Sequence, residues 1–132
     1  MSSALTPAKY LDKAERALQA ARLLDAAGDI EGTCNRAYYA MYDAAHAALL
    51  FENKAGYKVT KTHSGLISAF GLHIVSTNKI SRELGRALNE VEQLRLLADY
   101  TGEDITPELA STAVKKAEIF LAAVREMLAL ED

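Results

Sequence analysis

Four residues with chemically capable side chains repeat at helical spacing. Arg36, Tyr39, Asp43 and His46 stand three, four and three positions apart. On an α-helix that spacing aligns them along one face. A guanidinium, a phenol, a carboxylate and an imidazole so arranged could hold a phosphate or form a polar network. On spacing alone, a structural role is the plainer reading: a polar stripe that faces solvent or caps a core network. The functional reading gains from the wide apolar arc beside the stripe, because polar groups on a mostly buried helix must find partners.

A second constellation lies further along, where Arg95 precedes Ala98, Asp99 and Tyr100. Arg95 and Asp99 are four apart and can pair on a helix. The cation comes first, which is the less favourable order, so a surface pair would contribute only about 0.2–0.5 kcal/mol. The functional alternative places Arg95 in a cleft, with Asp99 orienting its guanidinium toward an anionic ligand. His63 opens a helical segment beside Thr62 and Ser64, where a helix N-terminus attracts anions. Capping or simple exposure is the plainer role for it. His73 falls at the edge of an apolar stripe. No two histidines stand three or four apart, so a histidine-based metal site is not expected. Neither a P-loop nor a dinucleotide-binding glycine pattern occurs, and no cofactor is expected. Cys34, the single cysteine, sits in a small-residue stripe and reads as buried packing.

The elements that must position these groups are all helical. Thr6 and Pro7 give a cap followed by proline at the first helical position. A helix to about Ala27 follows, with Leu11, Ala14, Leu18 and Ala21 as its stripe. Gly28 and Asp29 read as a stop and a new cap. A second helix over roughly Ile30 to Glu52 carries two stripes. One is small (Cys34, Ala37, Met41, Ala44, Ala48) and the other bulkier (Tyr38, Tyr42, Ala45, Leu49). A helix apolar over so wide an arc belongs at the centre of a bundle. A polar loop over Asn53 to Thr60, containing Gly56, leads to a third helix capped by Thr62 and running to about Ser76. A fourth is expected from near Lys79 to Tyr100, and a fifth after Thr106 and Pro107. The expected architecture is all-α: an antiparallel bundle of about five helices, with residues 1–132 as a single domain.

Bulk properties narrow the class. Half the 132 residues are hydrophobic and a quarter charged, the balance of a soluble globular domain. The lone thiol fits a reducing compartment, the N-terminus lacks the order of a secretory leader, and no apolar run nears the ~20 residues that span a bilayer. A cytoplasmic protein without membrane contact is the expectation. The formal net charge of −3 counts against a general nucleic-acid binder, which is usually basic, but leaves room for a local basic cleft.

The run from Asn35 to Tyr42, with Arg36, Ala37, Tyr38, Tyr39, Ala40 and Met41, resembles the RAYYAM-type signature of HEPN-domain proteins of a small uncharacterised bacterial and archaeal branch. Thr62, His63, Ser64, Gly65 and Leu66 resemble the branch's third-helix opening. Arg95 with Ala98, Asp99 and Tyr100 resembles its R-x-x-A-D-Y segment. The ordered set covers about residues 8 to 128. The resemblance implies a helical bundle, often dimeric, frequently encoded beside a minimal nucleotidyltransferase as one half of a toxin–antitoxin-like pair; that nucleotidyltransferase and RNA or a nucleotide are the partners to expect.

Some HEPN relatives are metal-independent ribonucleases that carry an arginine, four to six residues and then a histidine, paired across a dimer. In this chain no histidine has an arginine five to seven residues before it. Where those relatives place the histidine, Asp99 or Tyr100 follows Arg95. An aspartate is ionised at neutral pH and is a poor general acid there. No catalytic residue is therefore assigned, and the reading leans away from an enzyme. Three readings stand. The first is a binding module with Arg36, Tyr39, Asp43, His63, Arg95, Asp99 and Tyr100 around one cleft. The second is a divergent dimeric ribonuclease using Arg36 and Arg95 with His63 or His46. The third is a structural dimerisation domain whose arginines form buried ion pairs.

Overall fold

The computed structural model describes residues 6–52, 62–101 and 105–130, the side chains of residues 100, 101 and 130 excepted. The loop expected over Asn53 to Thr60 lies outside the described residues. Among the described residues the chain is all-α: helices α1 (Pro7–Ala27), α2 (Ile30–Glu52), α3 (His63–Phe70), α4 (Arg82–Leu96) and α5 (Pro107–Leu130). Two of them run on into π-helical turns, Gly71–Val75 after α3 and Leu97–Thr101 after α4.

Each helix begins where a side-chain oxygen can satisfy a backbone N–H that the helix itself leaves open. Thr6 Oγ1 accepts from the Lys9 amide, Asp29 Oδ1 from Gly32, Thr62 Oγ1 from Gly65, Ser81 Oγ from Leu84 and Thr106 Oγ1 from Leu109, at 2.9–3.3 Å. Ser81 corrects the expected start of the fourth helix near Lys79. The chain bends through Ile80, and Arg82 is the first helical residue. Helix α1 ends at Gly28, whose φ of 82° is a left-handed conformation that glycine adopts without penalty. Asn78, at φ 62°, makes the turn into α4, and its short polar side chain tolerates that region.

Helix α2 is the axis of the bundle. It packs on α1, α3, α4, α5 and both π-helical turns. Its small stripe from Cys34 to Ala48 is fully buried and lets α1 and α5 approach closely. Tyr38, Ala45 and Leu49 of the bulkier stripe are also fully buried, while Tyr42 is half-buried. Phe70 of α3 and Phe120 of α5 close the core with ring centroids 5.3 Å apart. Cys34 packs with Ile105 and Ala110, which anchor the start of α5. No described helix is long and apolar enough to cross a membrane.

Candidate functional site

The site is built on the first half of α2. Four rings, those of Tyr38, Tyr39, Tyr42 and His63, form a cluster in which every pair of centroids lies between 4.9 and 5.8 Å. Tyr38 and Tyr42 are one helical turn apart and Tyr39 is adjacent, so all three project toward the side where α3 begins. The cap at Thr62 starts α3 so that its first residue, His63, lies on the tyrosines. Nδ1 of His63 and the Tyr38 hydroxyl share a hydrogen bond of 2.7 Å. This bond exceeds the capping or exposed role that spacing gave His63. Tyr38 has no exposed surface, and burial followed by the nearby Glu92 carboxylate pushes its phenol well above the usual range, so it stays protonated.

Helix α4 brings Arg95 onto the same cluster. Its guanidinium carbon lies 5.0 Å from the Tyr38 ring centroid and 5.8 Å from that of Tyr39. Two parallel bonds, Nε to Glu92 Oε2 at 3.1 Å and Nη2 to Glu92 Oε1 at 3.2 Å, form a bidentate fork. Nη1 donates to Asp99 Oδ2 at 3.2 Å. Arg95 is only 7% exposed. Burial works against its charge, but the bonded Glu92 outweighs burial and raises the pKa. The weak surface pair expected from the spacing of Arg95 and Asp99 is thus a buried three-residue network. The residue that spacing missed is Glu92, three positions before Arg95. The i, i+3 offset was a readable signal, but carboxylates at that offset are common on exposed helix faces.

Arg36 approaches from α2 itself. Its guanidinium carbon lies 5.0 Å from the Tyr39 ring centroid, so Arg36 and Arg95 share one tyrosine. Arg36 differs from Arg95 in commitment. Its Nε donates to Asn35 Oδ1 at 2.9 Å, and among the described residues no carboxylate pairs with it. Arg36 is half-buried and lines an open cleft of about 410 Å³ shared with Asn35, Asp29, Glu31 and Asp99. Asp29 is occupied in capping α2 and Asp99 in holding Arg95, which leaves the Arg36 guanidinium as a donor group still available there.

The rest of the polar stripe turns inward. Asp43 is 7% exposed. Burial raises its pKa, and the charges of Lys13, Arg36 and Arg16 oppose the rise. His46 is buried, stacked on Tyr10 at 4.9 Å and edge-on to Tyr42 at 4.8 Å. Burial, with Lys13 adding to it, lowers its pKa to about 4, so it is neutral at physiological pH. The stripe divides: Arg36 lines the cleft and Tyr39 lies in the ring cluster, while Asp43 and His46 turn toward α1 as part of a buried network. Tyr100 lies in the π-helical turn, and its side chain is outside the described residues. Among the described residues no three His, Cys, Asp or Glu side chains gather as a metal site.

Chemically, the arrangement pairs a fixed, internally neutralised guanidinium with an open one on a shared aromatic face. The first can orient the tyrosines, and the second can donate to an anion.

Comparison with known proteins gives this site a context. The HEPN domain family matches residues 8–127. The chain is 36% identical over 121 residues to a UPF0332 protein of Gloeobacter violaceus, covering 90% of this chain and 93% of that one. It is 34% identical over 118 residues to a Methanocaldococcus jannaschii protein named "Putative toxin", covering 89% and 85%. A UPF0332 protein of Thermotoga maritima is 33% identical over 118 residues, covering 88% and 86%. The fold, the ordered motifs and these matches agree: the chain belongs to the HEPN domain family.

Proposed function

We propose that this HEPN protein is a binding module that takes a phosphate-bearing ligand, a nucleotide or RNA, at Arg36 and Tyr39, and that it works beside a minimal nucleotidyltransferase in a toxin–antitoxin-like pair. The observation that carries the ligand reading is the contrast between the two arginines. Arg95 spends its donors on Glu92 and Asp99, whereas Arg36 lies on Tyr39 with no carboxylate partner among the described residues. A guanidinium presents paired donors in a planar fork that matches a phosphate. Lys13 and Arg16 of α1 add positive charge near Asp43, on the side of α2 next to Arg36. The pairing with a partner is supported by the toxin-named relatives.

Equilibrium binding of a labelled oligoribonucleotide and of ATP tests the ligand. Arg36→Ala should reduce affinity by about tenfold or more, the loss of a charged hydrogen bond of about 1.5–3 kcal/mol. Unchanged affinity would remove Arg36 from the account. A native pull-down tests the partner, since recovery of a second copy alone would oppose a nucleotidyltransferase.

One observation favours a second reading. His63 and both arginines lie against the Tyr39 ring, a juxtaposition that the sequence order does not show. In that reading the protein is a divergent ribonuclease with His63 as its acid–base group. RNA cleavage by the purified protein that His63→Ala abolishes would favour it over binding alone.

A further inference from the structure

Helix α4 carries arginines on a second face. Arg86 precedes Arg95 by nine residues, which puts it two and a half turns away on the opposite side of the helix, roughly 14 Å along the axis. There α4 and the end of α3 enclose an open groove of about 480 Å³. Phe70, Val75 and Leu88 give it an apolar floor, and Arg82 and Arg86 stand at its edge. Gly85, between the two arginines, lets α4 sit against the π-helical turn, since a Cβ there would lie 2.8 Å from Val75 Cγ2. Gly71 forms the other wall, with nothing within 4 Å of where its Cβ would be. Next to it Leu72 is 66% exposed, a large apolar side chain beside an apolar trough.

Neither Arg82 nor Arg86 pairs with a carboxylate among the described residues, although ion pairs are frequent elsewhere on this surface. The two are one turn apart, about 6 Å along the helix, so they match carboxylates one turn apart on a facing helix. An apolar floor edged by unpaired arginines fits an amphipathic helix laid in a groove, with apolar anchors below and acidic residues at the rim.

We propose that the groove between α4 and the Gly71–Val75 turn docks an acidic amphipathic helix of a partner protein, with Arg82 and Arg86 reading its carboxylates. This surface is separate from the Arg36 cleft, and the proposal stands whether or not that cleft binds phosphate. A nucleic-acid backbone is a poorer occupant, because it would cover the apolar floor with charge.

The test is an NMR titration of the 15N-labelled chain with a blocked helical peptide of about 18 residues, with leucines at helical spacing flanked by glutamates, and with its lysine-for-glutamate counterpart. The glutamate peptide should shift the Gly71 and Gly85 amides and bind about tenfold more tightly than the lysine peptide, and the preference should weaken with salt. The double variant Arg82→Glu/Arg86→Glu should reverse the preference. Both side chains are exposed, so its thermal melt should stay close to the parent's, and the melt checks that the variant is folded. Equal binding of the two peptides, shifts confined to residues around Arg36, or no binding would overturn the proposal. Movement of the Gly71 and Gly85 amides with protein concentration alone would also overturn it, by making the groove a contact between copies of this chain.

Discussion

Arg36 and Arg95, from different helices, place their guanidinium carbons 5.0 and 5.8 Å from the centroid of the same Tyr39 ring. Two like charges converge there only because one is neutralised internally. Arg95 carries two carboxylates of its own, Glu92 and Asp99, and that leaves Arg36 to face the cleft.

The Arg95–Glu92 pair is buried, with side chains 8% and 9% exposed. Removing Arg95 strips Glu92 of its partner in a poorly solvated place, and removing Glu92 leaves Arg95 with Asp99 alone. Arg95→Met or Glu92→Leu alone should lower the unfolding free energy by about 3–5 kcal/mol. The double variant should recover much of that, because two apolar side chains can fill the same space. Urea unfolding of the three variants measures it, and strictly additive losses would contradict the pairing.

His46 sets an acid limit on stability. Its pKa falls from 6.5 to about 4 on folding, because burial and Lys13 disfavour the charged ring. Between those values the unfolded chain binds a proton that the native chain does not, so stability falls as pH falls through the window. The gap corresponds to about 3 kcal/mol. Asp43 acts in the opposite sense near the acid end, since its raised pKa makes the folded carboxyl bind the proton first. His46→Phe, which keeps a ring against Tyr10 and Tyr42, should flatten the dependence above pH 4.5 or so. An unchanged slope in thermal melts would show that another group is responsible.

The two glycines of the α4 groove should respond differently to alanine. Gly71 has open space beyond its Cα and right-handed helical geometry, so Gly71→Ala should stabilise by about 0.5–1 kcal/mol. At Gly85 the new methyl meets Val75, whose branched side chain cannot easily move aside. Overpacking there, about 1–3 kcal/mol, should cancel or exceed the gain in helix propensity. Paired melts of the two variants check the contrast, and equal stabilisation would contradict the close approach of α4 to the turn.

Much of the fold was legible because punctuation and periodicity agree. Thr6 with Pro7, Gly28 with Asp29, Thr62, and Thr106 with Pro107 mark helix ends at which the structure places caps. The double stripe of α2 announced a central helix. The apolar pattern places the start of α4 too early, because Ile80 extends it backward while Ser81 takes the capping position. Arg36, Tyr39, Arg95 and Asp99 could be named from spacing and resemblance. What spacing cannot give is which element lies opposite. Tyr38 looked like core and His63 like a helix end, and only the packing of α3 on α2 joins them. Glu92 reads as an ordinary exposed carboxylate until α4 turns it inward with Arg95.

Arg36 is the open guanidinium of the pair and Arg95 the committed one. The most direct measurement follows the side-chain Nε resonances of both arginines by 15N NMR while pyrophosphate is added. The Arg36 resonance should shift saturably and the Arg95 resonance should stay in place, with the response lost in Arg36→Ala. A shift of Arg95 with Arg36 unmoved, or no response from either, would contradict the account.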